Sequence, residues 1–344
     1  MPEHQPRPGA RIAFVIPFVG KWPPWSRLFF ESARDISNVD FIIHCTHPIP
    51  FPTAANIHTV AADAVDISER MQRALGVGLG RMISGHKLCD LRPFAGLIFS
   101  DVLRGYDFWG YCDVDMMMGD ISRLFTDDFF ASVDVFTAHP EICVGHFSVF
   151  RNCDRVNRLC LKIDGWKEKC GAPVSRHMDE NGIAEVLRHE DGLRVVRSQG
   201  LRQELESGFS RHGITFGMHG EVAYLVPPND IIVRWEGGRA IAEMEDGSER
   251  EALYIHFMGT KRWWHWLWFR NGVGPVHIFS KIGYGGIRCR RDLAKPQWRA
   301  FYRLQSAFHA IKVTVGAGLR RCLPSGPYVE VRRSLRRISE WATR

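Results

Sequence analysis

Nine cysteines are scattered through 344 residues without a single Cys-x-x-Cys pair, and their odd number argues against a disulfide framework. No apolar run approaches the roughly 18 residues a membrane span requires, because the nearest candidates are interrupted by His, Arg or Lys. No signal peptide precedes the first strand-like segment, so the expected setting is a reducing, cytosolic one. A dinucleotide fingerprint is also missing. The stretch GVGLG at residues 76–80 follows a helical pattern and has the wrong spacing, and it reads as a flexible loop. No recognised nucleic-acid motif accompanies the basic residues.

What the chain does have is enough apolar material for a large core. Hydrophobic residues make up 45% of it, which suits one domain of about 250 residues with an appendage. Charge divides the chain unevenly. From Lys261 onward there are 18 Lys or Arg against three acids, a net +15, so a total of +7 leaves −8 on the first 260 residues. The basic part also holds Trp263, Trp264, Trp266, Trp268 and Phe269, and Arg332, Arg333, Arg336 and Arg337 recur at helical spacing beside Val331, Leu335 and Ile338. Tryptophan with Arg-rich amphipathic helices suits an anionic bilayer surface, and a solvated face over core tryptophans is the alternative.

Residues 1–10 form a polar, Pro- and Gly-containing leader, and structure is expected from Arg11. RIAFVIPF reads as a buried strand, followed by a Gly/Pro loop and a helix over about residues 26–37. DFIIHCT and NIHTVAA give two more strands, with a helix over residues 67–75 after them. This order predicts a parallel α/β sheet. HKLCDLRPFAGLIFSDVL, residues 86–103, predicts a helix entered past Pro93, with Leu91, Ala95, Ile98, Phe99 and Val102 on its apolar stripe. Lys87, Asp90 and Arg92 at its start either face a ligand or pair with one another.

The most informative segment is FWGYCDVDMMMGDI, residues 108–121. An apolar, aromatic strand over residues 106–112 delivers Asp113 and Asp115 to its carboxyl end. Ligands of α/β sheets bind at that edge, and paired carboxylates there suit a hard divalent cation that keeps open positions for phosphate oxygens. Aspartates in loops also bond their own backbone, so the spacing alone is a short signal.

KLCDLRP followed by GYDFWGYCDVDMMMGDI resembles a family of bacterial polysaccharide-locus glycosyltransferases and, more broadly, the GT-A superfamily of nucleotide-sugar-dependent enzymes. The resemblance covers roughly residues 11–268. It implies a GT-A, Rossmann-like, mostly parallel mixed sheet flanked by helices; beyond it, the charge and helical spacing of residues 269–344 read as a basic, partly helical C-terminal extension. It further implies a donor nucleotide, most often a UDP-sugar, lying over the first strand near Pro17 and Phe18. Lys87, Asp90 and Arg92 would belong to the same donor site. Asp113 would contact the ribose or the metal, and Asp115 would hold Mn²⁺ or Mg²⁺ directly.

Three later segments follow in the order such enzymes show. DVFTAHPEICVGHFSVFRN resembles the sugar-contacting segment of glycogenin-like retaining enzymes, with Gly145 where a small residue lets the sugar approach. Val144 stands where that family commonly has Asn. His146 is either a sugar contact or a packed histidine. MDENGIAEVL resembles the helix opening beside the reacting sugar, with Asp179 and Glu180 as the candidate catalytic pair, although carboxylates at a helix start also serve as caps. YIHFMGTKRWW resembles the metal- and diphosphate-binding motif of the same enzymes. On that pattern His256 completes the metal's coordination, Gly259 lets backbone approach the diphosphate, and Lys261 pairs with its charge. Arg262 replaces the usual Pro.

The implied activity is metal-dependent transfer of a sugar to a hydroxyl of a glycan or lipid-linked acceptor, with retention favoured and inversion through Asp179 or Glu180 open. No nucleic acid is expected as a partner, and peripheral contact with an anionic membrane is. Two other classes compete. A haloacid-dehalogenase-like phosphatase would use Asp113 as nucleophile and Asp115 as acid/base. A non-catalytic membrane-surface or RNA-binding protein would use only the basic tail.

Overall fold

The computed structural model describes residues 9–197, apart from positions 24, 35, 81, 83, 84, 124, 140 and 141, and strands lying between residues 214 and 289. Gly259, Lys261, the tryptophan cluster and the arginine-rich stretch after residue 290 lie outside the described residues.

The first sheet is assembled from β1 (Ile12–Phe18), β2 (Val39–Cys45), β3 (Ile57–Ala61) and β4 (Phe108–Cys112). The short strand β5 (Met116–Met118) leaves it, and β6 (Val135–Thr137), β7 (Phe147–Arg151) and β8 (Val195–Arg197) complete it. The seven strands lie in the order β3-β2-β1-β4-β7-β6-β8. Strands β3, β2, β1 and β4 run parallel, β7 is antiparallel to both neighbours, and β6 and β8 are parallel to each other. This is an α/β, Rossmann-like mixed sheet, mostly parallel, as the strand and helix order predicted.

Alternation along β1 and its neighbours explains why both faces are covered. Phe14, Ile16, Phe41, Ile43, Phe108 and Phe147 point into one core, while Ala13, Val15, Ile42, Trp109, Tyr111 and Phe150 point into another. Helix Ser26–Ser32 packs Phe29 and Phe30 into the first core. Helices Ala64–Leu75 and Ile183–His189 close the second with Ile67, Met71, Ile183 and Leu187. Gly110 is required at the centre, since a Cβ there would stand 2.6 Å from the Ser148 carbonyl and 2.9 Å from the Phe14 ring.

Several boundaries differ from expectation for identifiable reasons. The second helix begins at Ala64, earlier than residue 67, because Asp63 and Asp66 form a reciprocal capping box, and it stops at Gly76 with φ 72°. The first helix ends at Ser32, short of residue 37; the Ser32 hydroxyl bonds back to the Leu28 carbonyl at 2.6 Å. The expected single helix over residues 86–103 is corrected to a 3₁₀ stretch, Gly85–Phe94, followed by one α-turn, Ala95–Ile98. Pro93 lies inside the first part and cannot supply an α-helical N–H.

A second sheet follows in β9 (Ile214–Met218), β10 (Glu221–Leu225), β11 (Ile232–Glu236), β12 (Arg239–Glu243), β13 (Glu249–His256), β14 (Val276–Lys281) and β15 (Ile287–Cys289). Its order is β10-β9-β13-β12-β11-β14-β15, with β5 joined to β13. Strand β14 pairs with β11, and residues 276–281 and 287–289 are strands within the stretch expected to be a basic, partly helical extension.

Candidate metal centre

The chain leaves the first sheet at Cys112 and enters the second at Met116, so Asp113, Val114 and Asp115 form the short link from β4 to β5 between the two sheets. That position fixes both acids. The Asp113 N–H donates to the His146 carbonyl at 3.1 Å, one step beyond the β4–β7 register that ends at Cys112 opposite Phe147. On the other side, the antiparallel pairing of β5 with β13 sets Met116 opposite His256 and so brings the histidine beside Asp115. Val114 between the acids and the three methionines after them are buried.

His256 Nε2 lies 3.5 Å from Asp113 Oδ2 and 3.3 Å from Asp115 Oδ1. One ligand atom from each residue falls within 4.8 Å of the others, as a divalent cation requires. Asp115 is 2% and His256 7% exposed, whereas the Asp113 side chain keeps 28% of its surface open. The cluster is therefore walled on one side and accessible through Asp113. Burial pushes the His256 imidazole down, but the facing Asp115 and Asp113 carboxylates overcome it and hold its pKa up to about 9. The two carboxylates that raise it would equally attract a cation. Among the described residues His256 Nδ1 is buried without a partner.

Around this cluster the structure adds residues with distinct roles. His146 stacks on His256 with ring centroids 4.3 Å apart, and its Nε2 meets the Tyr254 hydroxyl at 3.0 Å. Burial and the neighbouring His256 hold His146 well below the usual imidazole range, so it packs as a neutral ring. Arg92 spans two acids: Nη2 pairs with Asp113 and Nη1 donates to Asp179 Oδ2 at 3.0 Å. Burial raises the Asp179 carboxyl, and Arg92 only partly opposes this, leaving its pKa at about 7.

Of the expected site residues, Asp113, Asp115 and His256 come together, with Arg92, His146 and Asp179 in contact with them or with one another. Glu180 points elsewhere and meets His177 at 3.4 Å. Lys87 and Asp90 have no exposed side-chain surface and pair with each other at 2.8 Å, which is the pairing alternative rather than a ligand-facing one. The space over Gly145, expected to admit a sugar, is taken by the Arg92 guanidinium and the Asp179 carboxylate, which a Cβ would overlap. Pro17 and Phe18 are half-buried at the carboxyl end of β1, where Phe18 stacks on Trp22 at 4.1 Å. Tyr254, the partner of His146, is signalled in the sequence only by its place two residues before His256 on one strand face.

The fold and cluster define a Rossmann-like α/β protein with an acid–acid–histidine group at the carboxyl edge of its sheet. The chain belongs to DUF6625, a family of unknown function, whose model matches residues 14–265. No curated protein matches it.

Proposed function

We propose that the protein is a metal-dependent glycosyltransferase of GT-A type, moving a sugar from a nucleoside-diphosphate donor to a hydroxyl of a glycan or lipid-linked acceptor. The observation that carries this reading is the convergence of one ligand atom each from Asp113, Asp115 and His256 within 4.8 Å of one another, beside the carboxyl end of β4. The mixed oxygen and nitrogen set, with Asp113 partly open, fits Mn²⁺ or Mg²⁺ better than a closed structural site. Bound there, the cation would neutralise charge on the departing diphosphate.

The protein's own groups have complementary tasks in this reading. Asp115 and His256 form the buried side of the cage, and Asp113 forms its open side. Arg92 supplies a permanent positive charge beside the leaving group's position. Asp179, held beside Arg92 and Gly145, is the candidate for stabilising positive charge on the sugar or for taking the acceptor proton. Phe18, half-buried at the end of β1, offers a ring for the donor's base. The basic stretch after Lys261 would bring the enzyme to an anionic membrane face. No helix among the described residues is long and apolar enough to cross a membrane.

Calorimetric titration with UDP, GDP, CDP and UDP-sugars, with and without Mn²⁺, tests the reading. One nucleotide should bind in a metal-dependent way. Turnover of a phosphomonoester with no sugar acceptor would instead support the phosphatase.

A further inference from the structure

A permanent cation occupies an awkward place for a centre that takes a metal. Asp113 presents one oxygen, Oδ2, to His256 and the candidate metal position, while its other oxygen, Oδ1, is held by Arg92. The guanidinium fork is divided, its second arm going to Asp179 at 3.0 Å. The Arg92 side chain is 14% exposed and that of Asp179 only 4%, so solvent screens neither contact well. Tyr111 flanks the guanidinium, with its ring centroid 5.8 Å from Cζ, and Gly145 leaves room for the fork by having no side chain. Arginine and a divalent cation thus address one carboxylate from opposite sides.

We propose that Arg92 is a resident counter-cation that competes with the divalent metal for Asp113, and that Asp179 is the acid that shares it and so sets the strength of that competition. The inference rests on the reading of Asp113, Asp115 and His256 as a metal site and concerns its regulation. Charge-assisted contacts of arginine with carboxylate are strong in a partly buried setting, so the competition is felt in metal affinity. When metal draws Asp113 toward Asp115 and His256, Arg92 keeps Asp179 and frees Nη2 for an anion such as a phosphate oxygen. Metal alone therefore binds weakly, and metal with a diphosphate binds cooperatively.

The test is titration of the full chain with Mn²⁺ alone, followed by the loss of the free-ion paramagnetic resonance signal. Arg92→Gln combined with Asp179→Asn removes the competitor without stranding a buried charge, and should tighten Mn²⁺ binding about tenfold. Asp179→Asn alone leaves Arg92 to Asp113 and should weaken binding. General damage to the fold would weaken both, so the opposite signs are diagnostic, and the single variant carries the test if the double one does not fold. Unchanged or weaker binding by a folded double variant, or unchanged binding by Asp179→Asn, overturns the proposal while leaving the metal site standing. No Mn²⁺ binding by the wild type or by the folded double variant, with or without a nucleoside diphosphate, removes the metal reading and this inference with it.

Discussion

At the scale of single residues, the two link acids were legible because their place depends on local sequence: an apolar strand stops, and the next polar positions must lie at its carboxyl end. Arg92's division between Asp113 and Asp179 was not legible, since the partners lie 21 and 87 positions away and only the folded sheet joins them. The same packing makes Gly145 intolerant. Gly145→Ala would force the Arg92–Asp179 pair apart, and urea denaturation should show a loss of about 1–3 kcal/mol; wild-type stability would mean that the space above the glycine relaxes freely. His44 gives a pH signature remote from the site. It is 1% exposed, and burial, reinforced by Arg70, lowers its pKa to about 4. As pH falls below about 6.5 the unfolded chain takes a proton that the folded chain refuses until about pH 4, so stability is full above that window and declines through it. Relative to wild type, His44→Phe should gain on the order of 3 kcal/mol between pH 7 and pH 4. A difference that stays constant with pH would contradict this account.

At the scale of elements, the parallel half of the first sheet could be read from apolar runs and turn residues, whereas the 3₁₀ stretch Gly85–Phe94 could not. Its conformation follows from long-range bonds. The Asp90 carboxylate accepts from Lys87 Nζ, the Ser175 hydroxyl and the N–H groups of Arg176 and Met178, and Lys87 also donates to the Lys169 carbonyl. These bonds pin the turn through His177, at φ 54°, into the π-helical segment Met178–Gly182 that presents Asp179. Asp90→Ala should cost about 3–5 kcal/mol, because it strands a buried ammonium along with the freed N–H groups. A loss under about 1 kcal/mol in denaturant would show that water enters and replaces the carboxylate. The strands between Ile214 and His256 carry local signals. Gly237–Gly238 between two alternating runs marks the β11–β12 hairpin, whose register closes Glu236 opposite Arg239.

At the scale of the whole molecule, the centre exists because two sheets meet. Strand β5 is hydrogen-bonded to β13, and the Gly119 N–H donates to the Leu253 carbonyl at 2.7 Å, so the link acids and His256 are brought together by one seam. Sequence order hid this seam, since 140 positions separate Met116 from its register partner His256. The charge asymmetry belongs to the same scale. The full chain should co-sediment with anionic liposomes and lose that behaviour when residues after 290 are removed; equal sedimentation of both forms would refute the membrane role of the tail. The most direct test of the central claim is calorimetric titration of nucleoside diphosphates with and without Mn²⁺, on the wild type and on the Asp113→Ala/Asp115→Ala variant. The account predicts metal-dependent binding of one nucleotide that the double variant loses while remaining folded. Absence of nucleotide binding by the folded wild type, or binding indifferent to both the metal and the two aspartates, would contradict it.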